Sequence, residues 1–477
     1  MNLNDQLNGI LNDLQGVWTE SILIVGAIFI LIVGLLDSNK WLLKSCFLGV
    51  LLLAAYYNSL NESTGLLIEN SLHIKPSALQ FGSLFIWVGI LLLSYQRSAK
   101  HLVEFCFFIL ALLVGCLFMM KANSLLIVYL SIELASFASY ILTNFSFKKS
   151  GFEAGIKYLL FGAISSAFML FGIGIIYGTT GTFFISDWGI ATFQDLFSQV
   201  GFVFLLLGIF FKISLVPSHI WVPATYQAAP ADATAFMSIV PKLAGLVLLK
   251  NLFDANLFVA DHWIYALILM LGMLTILFGT LGALRQQNAR RMISFGAIAH
   301  SGFLLPFALL ATDLSASSFW YYAVTYSIMN LAVFYLLDVY EKNDIHNVPD
   351  YAKTKHATWL GAAFTLILIS LVGIPPLAGF TAKFFLFTTL WEGYQGLANG
   401  HLLWYLIIAV LATVASLFFY LQIPRQIFLG QSQDTQSIKF KFSTKILATL
   451  FCIVLLLLFF APQLVMEAKQ LLNNVHE

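Results

Sequence analysis

Long apolar runs alternate with short polar segments along the whole chain. Each run holds about 17 to 25 residues, which is enough for an α-helix to cross a hydrocarbon core about 30 Å thick. A helix also satisfies its own backbone hydrogen bonds, as a segment in lipid must. The pattern therefore predicts an all-α polytopic membrane protein with about fourteen transmembrane helices, centred near residues 28, 50, 87, 111, 133, 166, 210, 242, 273, 302, 327, 373, 411 and 454.

Two segments that join prolines to a lysine break the helical pattern inside otherwise apolar stretches. The segments are GIFFKISLVPSHIWVP at 208–223 and LVGIPPLAGFTAKFF at 371–385. Proline removes a backbone donor and clashes with the preceding turn, so we expect helices 7 and 12 to be broken there. The two helices are five apart and cross the membrane in opposite directions. Many transporters place broken helices in this way, at matching positions of inverted repeats.

The spacing of the breaks predicts two inverted five-helix repeats. The corresponding division of the chain is helices 1–3 at 1–100, a first repeat of helices 4–8 at 101–252, a second repeat of helices 9–13 at 262–422, and a cytoplasmic loop with helix 14 at 423–477.

Composition agrees with a chain that lies mostly in the lipid bilayer. It is 60% hydrophobic and 10% charged, against roughly a quarter charged in soluble domains. A net charge of +1 offers no basic surface for nucleic acid. The N-terminus lacks the basic region and cleavage site of a signal peptide, so we expect the first helix to be retained. The cysteines occur singly and are expected to be packing residues: Cys46, Cys106, Cys116 and Cys452.

The basic residues are distributed unequally between the two sides of the predicted helices. Of the 24 Lys and Arg, 17 fall on one side, 4 on the other and 3 inside helices. The 4 are Lys75, Lys121, Lys250 and Lys469. Because cytoplasmic loops carry the excess of basic residues, this predicts an inner-membrane protein with both termini on the periplasmic side.

Four ionisable residues stand out inside predicted helices, namely Glu133, Lys212, Lys242 and Lys383, and His300 can be added to them as a relay. A charge at the bilayer centre costs about 2.5 to 3.5 kcal/mol on insertion scales, so such residues tend to be functional. A carboxylate near a lysine keeps the lysine protonated, and separating the two favours proton release. Imidazole titrates near physiological pH. We therefore predict that these five residues transfer protons.

Structural roles are the alternatives for several of these residues. Glu133 could form a permanent buried pair with a lysine that only fixes the packing, and His300 could be a hydrogen-bonded core histidine. Glu104 could meet Lys157 at the membrane rim, and a structural role is favoured for that contact. His219, in the break of helix 7, fits turn packing and proton relay equally well.

Sequence motifs for redox cofactors are absent from the chain. It contains no GxGxxG, no Walker loop, no cysteine cluster and no bis-histidine helix pair. We therefore expect no nucleotide, flavin, iron–sulfur cluster or haem site on this chain.

Five motifs in the same order make the chain resemble the antiporter-like membrane subunits shared by NADH:quinone oxidoreductase (respiratory complex I) and multisubunit cation/proton antiporters. They are SIELASFASYIL, FKISLVPSHIWVP, VPKLAGL, RRMISFGAIAHSGFLL and GIPPLAGFTAKF. The resemblance implies proton translocation along a mid-membrane axis that contains Glu133, Lys212, Lys242 and Lys383. It also implies neighbouring membrane subunits as partners, and FMN, iron–sulfur clusters and quinone on those partners.

Within that family the chain is most similar to the subunit N branch. Lys383 follows the PPLAGF break, where the M branch tends to have glutamate. The chain also ends soon after helix 14, without the long lateral helix of the L branch. One departure follows Pro223, where the family pattern PDxYEGAP is replaced by PATYQAAP. Ala224 and Gln227 thus stand in place of two acids.

A subunit of a sodium/proton antiporter complex fits the same residues equally well. A third alternative is a scaffold that conducts nothing. The scaffold would require the buried charges to be dispensable.

Overall fold

In the computed structural model of the chain, the described residues are 13–36, 39–61, 63–95, 101–254, 262–310, 312–354, 358–431 and 441–467, the side chains of 190, 191, 313 and 358 excepted. The described part is almost entirely helical, with one two-stranded antiparallel hairpin of β1 (Gly65–Leu67) and β2 (Leu72–Ile74). Two compact units are distinguished, and each is described by itself.

The described parts of Met1–Ile213 and Ala228–Phe258 form the first unit. Its helices are α1 (Trp18–Leu36), α2 (Lys40–Ser59), α3 (Pro76–Leu91), α4 (Leu102–Lys121), α5 (Leu125–Asn144), α6 (Lys149–Thr180), α7 (Leu196–Ile213) and α9 (Ala231–Phe253). Helix α9 lies at the centre of this unit, because nearly all its side chains are buried.

The described parts of Ser214–Gln227 and Val259–Glu467 form the second unit. Its helices are the short α8 (Val222–Ala228), α10 (Trp263–Leu284), α11 (Ala289–Leu309), α12 (Asp313–Glu341), α13 (Thr358–Val372), α14 (Ala378–Leu397), α15 (Gly400–Tyr420), the short α16 (Gln422–Leu429) and α17 (Phe442–Phe460). Helices α11 and α12 are the most buried of this unit.

The predicted fold class is confirmed. Among the described residues, 13 helices are long and apolar enough to cross a membrane. Predicted helix 12 is divided into α13 and α14, and predicted helix 7 into α7 and α8. The division of the chain into three helices, two repeats and a final helix stays a prediction.

Several helices begin at a side chain that accepts a hydrogen bond from the first turn. A helix start leaves four backbone N–H groups without intrahelical partners, and Asn, Ser or Thr at the N-cap satisfies one of them. The residues that do so include Asn39, Ser124, Asn288 and Thr312.

The two breaks share one backbone pattern. Helix α7 ends directly before Ser214, whose φ is 63°, and α13 ends directly before Gly373, whose φ is 88°. A residue in this left-handed region commonly terminates a helix. Pro217 and Pro376 follow three residues later in each case. The predicted interruptions are therefore confirmed, and the left-handed residue determines where each begins.

Candidate functional site

Lys212 lies in the last turn of α7, immediately before the first break, and its side chain is 1% exposed. Its Nζ donates a hydrogen bond of 3.2 Å to the Oγ of Ser136 on α5. Because Ser136 is neutral, this bond holds the ammonium group in place without neutralising it. Lys212 is thus a buried cation at the end of an interrupted helix.

Glu133 lies one turn before Ser136 on the same helix, and its side chain is half-buried. Its Oε1 accepts a hydrogen bond from Ser166 of α6. No ion pair within 4.0 Å joins it to Lys212, and the two groups interact only electrostatically over a longer distance. The reason is the register of α5, which presents Ser136 to the lysine and Glu133 to α6. The Glu133 carboxylate can therefore act on Lys212 only through its charge, from a position one helical turn before Ser136, which binds the lysine.

An aromatic cluster fixes the helices that carry these two residues. The ring of Tyr140 on α5 meets Tyr158 of α6 edge-on at 4.6 Å, and Tyr158 lies 5.6 Å from Phe211, the neighbour of Lys212. Gly162 makes room for this cluster, since a Cβ there would come within 1.7 Å of the Tyr140 hydroxyl. Helices α5, α6 and α7 are therefore held in a defined arrangement around the lysine.

Lys242 is placed in the middle of α9 and is 1% exposed. Pro241 precedes it inside the helix. Proline lacks an N–H and so loosens the local hydrogen-bond ladder. Lys242 is thus a second fully buried lysine in the first unit, again beside an irregularity of the backbone.

Lys383 is the corresponding lysine of the second unit and is 2% exposed. Its Nζ donates a 2.7 Å hydrogen bond to the carbonyl oxygen of Val372, the last residue of α13. The last carbonyls of a helix lack intrahelical partners and form the negative end of its dipole. Nζ also lies 4.8 Å from the centre of the Phe303 ring. A broken helix end and an aromatic face therefore hold this cation in place of a carboxylate.

Two glycines allow α14 to approach the end of α13 closely enough for that contact. A Cβ at Gly379 would lie 1.7 Å from the carbonyl oxygen of Ser370, and a Cβ at Gly373 would lie 2.8 Å from Cδ of Lys383. The backbone N–H of Gly379 also donates to the Ser370 hydroxyl at 3.2 Å. The geometry at Lys383 therefore depends on side chains being absent at both positions.

His300 lies on α11 one turn before Phe303 and is 3% exposed. Its Nδ1 shares a 3.0 Å hydrogen bond with the hydroxyl of Tyr322 on α12. The Phe303 ring is 5.8 Å from the imidazole and also contacts the Lys383 ammonium. Phe303 thus contacts both the His300 imidazole and the Lys383 ammonium, while the bond to Tyr322 orients the imidazole.

The pair expected between Glu104 and Lys157 is wrong. Glu104 instead lies 3.9 Å from His101, and Lys157 forms a 2.6 Å ion pair with Glu153. Both partners come from the same helix or its cap, three or four residues away, where side chains on a helix naturally meet.

His219 lies in the segment between α7 and α8, and its ring packs 5.7 Å from that of Phe278.

The departure from the family pattern has a visible consequence at Gln227. Its Oε1 accepts a 3.4 Å hydrogen bond from Arg291. The amide therefore contacts the arginine without a negative charge.

The described residues contain no group of three or more His, Cys, Asp or Glu side chains that could hold a metal ion. The groups that the buried positions offer are amines, a carboxylate, an imidazole and phenols. These groups exchange or relay protons. The arrangement supports proton transfer within each unit, and the five predicted residues keep that role as a prediction.

Sequence reasoning missed one partly buried and one fully buried ion pair. Arg290 pairs with Glu341, and Lys121 pairs with Glu20. Lys121 was assigned to a periplasmic connection, although it is buried. The only sequence signal for the second pair is an acid in the first turn of an otherwise apolar helix.

Comparison with known proteins gives a consistent set of matches. The family described as NADH:quinone oxidoreductase/Mrp antiporter, TM, matches residues 122–418. NADH-quinone oxidoreductase subunit N 2 of Acidobacterium capsulatum is 34% identical over 381 residues, which cover 77% of this chain and 76% of the relative. NADH-quinone oxidoreductase subunit N of Pelagibacter ubique is 28% identical over 483 residues, which cover 98% and 100% respectively.

The fold is similar to that of a chain in respiratory complex I from Thermus thermophilus with bound aureothin. The TM-score is 0.79 at 24% identity, over 94% of this chain and 99% of the other. At this identity the likeness concerns the fold.

Proposed function

Since the chain belongs to the NADH:quinone oxidoreductase/Mrp antiporter family of transmembrane subunits, we propose that it is a proton-translocating membrane subunit of an NADH:quinone oxidoreductase. It couples quinone reduction by other subunits to proton transfer through Glu133, Lys212, Lys242, His300 and Lys383. The relatives named subunit N support this assignment. FMN, iron–sulfur clusters and quinone are bound by partner subunits.

One observation supports the mechanism above all. Lys212, Lys242 and Lys383 are buried inside helices, and each lies near an interruption or beside a proline of its helix. Buried lysines lose their protons more readily than exposed ones, because a low-dielectric surrounding disfavours the charged form. Interrupted helices admit water or polar groups to such positions. A lysine in this setting can take up a proton from one side and pass it on.

The function is tested by purifying the tagged chain in mild detergent with its partners. We expect it to co-purify with redox subunits, to support quinone reduction by NADH, and to pump protons when reconstituted. A Lys212→Ala variant should retain the partners and lose pumping, by roughly tenfold or more, the scale of a positioned acid–base group. Co-purification with small antiporter subunits and sodium-driven proton exchange would favour the antiporter instead. Full pumping by Lys212→Ala would favour a scaffold.

The charge distribution supports an inner-membrane location with both termini on the periplasmic side. Lys148, at the exposed N-cap of α6, would then face the cytoplasm, and Glu69, at the exposed tip of the β-hairpin, the periplasm. Five of the basic residues counted above, Arg97, Lys100, Lys355, Lys439 and Lys469, and both termini lie outside the described residues.

Labelling of single cysteines tests this orientation. In a variant without native cysteines, we expect Glu69→Cys to react with a membrane-impermeant maleimide in intact cells, and Lys148→Cys to react only after the cells are broken. The reverse result would invert the topology. Both positions are exposed, so a difference between them reports on the side of the membrane and not on burial.

A further inference from the structure

A buried acid–base pair lies apart from the five residues discussed above. Glu20, in the first turn of α1, and Lys121, the last residue of α4, face each other with Nζ 2.7 Å from Oε1. Their side chains are 0% and 1% exposed. Both precede residues 122–418, the part that the family shares. The pair therefore joins the first N-terminal helix to α4 and lies outside the matched segment.

The pair lies close to the membrane surface. Nζ of Lys121 also donates to the carbonyl oxygen of Gly16 at 3.1 Å, and Gly16 stands next to the exposed Gln15. The hairpin of β1 and β2 covers this place, since Leu72 bridges to Ala122 directly after the lysine. One turn of α1 thus separates a fully buried carboxylate from the surface.

The hydrogen bonding of Glu20 is incomplete. Among the described residues, no hydrogen-bond donor reaches its Oε2, and the hydroxyl of the buried Thr19 also has no partner there. A buried polar network that is only partly satisfied is a poor means of stabilising a fold. Apolar side chains of similar volume commonly serve stability as well as a buried ion pair or better. A carboxylate that takes up and releases a proton, by contrast, requires an oxygen that is free to accept one.

Helix α4 connects the pair to the mid-membrane site of the first unit. Gly115 of α4 packs closely against Ala135 of α5, since a Cβ at Gly115 would lie 2.8 Å from the Ala135 backbone nitrogen. The next residue of α5, Ser136, accepts the hydrogen bond of Lys212. Lys121 lies six residues further along α4 than Gly115, about 9 Å at the usual rise. The path from Lys212 to Glu20 therefore follows one helix and stays within the first unit.

We propose that Glu20 and Lys121 form a second proton-transfer site, through which protons pass between the Lys212 region and the water at the membrane face that holds the start of α1. This inference rests on the proposed function. The Lys121 ammonium gives a proton to the Glu20 carboxylate, which leaves an amine and a carboxylic acid. The acid releases its proton to surface water, and the amine takes the next proton from water on the Lys212 side.

Two variants in the purified, reconstituted complex separate proton transfer from a structural role. Glu20→Gln with Lys121→Gln removes both charges, so neither partner is left as an unpaired buried charge. Lys121→Arg keeps the ion pair, but a guanidinium does not release its proton. We expect both variants to assemble and to lose as much NADH-driven pumping as Lys212→Ala. The control is Lys250→Arg, because Lys250 pairs with Asp254 in the same unit at 2.7 Å but is partly exposed. It should pump normally.

The inference is overturned if either variant at the Glu20 pair pumps as well as the wild type. Failure of both to assemble would assign the pair a structural role and overturn it too. Lys212→Ala, measured alongside, separates the two proposals. If Lys212→Ala loses pumping and the Glu20 variants do not, only this inference fails. If Lys212→Ala pumps normally, the proposed function itself fails.

Discussion

Replacing Lys383 with arginine is expected to stop proton translocation as completely as replacing it with alanine. The Lys383 ammonium donates to the free carbonyl of Val372 at the end of α13 and lies against the ring of Phe303. An arginine can donate to the same carbonyl and stack on the same ring. It cannot release its proton, because the pKa of a guanidinium lies far above physiological pH. Lys383→Arg thus keeps the contacts with Val372 and Phe303 and removes the ability to exchange a proton.

The measurement is NADH-driven proton uptake by inverted membrane vesicles, normalised to the amount of assembled complex. We expect pumping and coupled quinone reduction to fall by roughly tenfold or more in both variants, the scale of a positioned acid–base group. Electron transfer from NADH to a hydrophilic acceptor should persist, since that reaction needs no membrane subunit. Normal pumping by Lys383→Arg together with a defect in Lys383→Ala would show that this lysine only supports the packing of α13 and α14.

The two breaks were predictable because their cause is local. Pro217 and Pro376 each interrupt an apolar run, and proline acts on its own turn whatever surrounds it. The position of Lys383 relative to Val372 was not predictable in this way. It depends on how closely α14 approaches α13, which is determined by the missing side chains at Gly373 and Gly379.

The sequence predicted which charged residues are buried better than it predicted which of them pair with each other. An ionisable residue in a long apolar run is visible in sequence, so Lys212, Lys242 and Lys383 were found. Which residue faces which depends on the rotation of each helix about its axis. For α5 that rotation presents Ser136 to Lys212, and Glu133 to Ser166.

Ion pairs between residues far apart in the chain are the hardest to predict from the sequence. Glu20 and Lys121 are about a hundred residues apart and meet only because α1 packs against α4. At the membrane rim a pair between distant residues was predicted where a local one forms. Lys157 pairs with Glu153 within its own helix and not with Glu104. An exposed side chain pairs with an available neighbour on the same helix, because that pairing requires no tertiary contact.

The second large effect is expected for Glu133→Gln. Since the carboxylate is bound by Ser166 and forms no ion pair with Lys212, the amide should fit the same place and leave assembly intact. Breaking a direct buried pair would typically cost about 3 to 5 kcal/mol, and we expect a much smaller loss of stability here. The charge that favours protonation of Lys212 from one turn away would nevertheless be gone.

Pumping by Glu133→Gln should therefore fall by roughly tenfold, the scale of a positioned acid–base group, while the subunit content of the membranes stays normal. Ser166→Ala is the matched control, because it removes the hydrogen bond to the carboxylate and keeps the charge. It should pump at close to the wild-type rate. Suppose that Glu133→Gln pumps normally and Ser166→Ala does not. Pumping then depends on the hydrogen bond between α5 and α6 and not on the negative charge of Glu133. A fall in assembled complex in Glu133→Gln would instead show that the carboxylate holds α5 against α6. The pumping defect, measured per assembled complex, isolates the electrostatic effect of Glu133 on Lys212 from its contribution to packing.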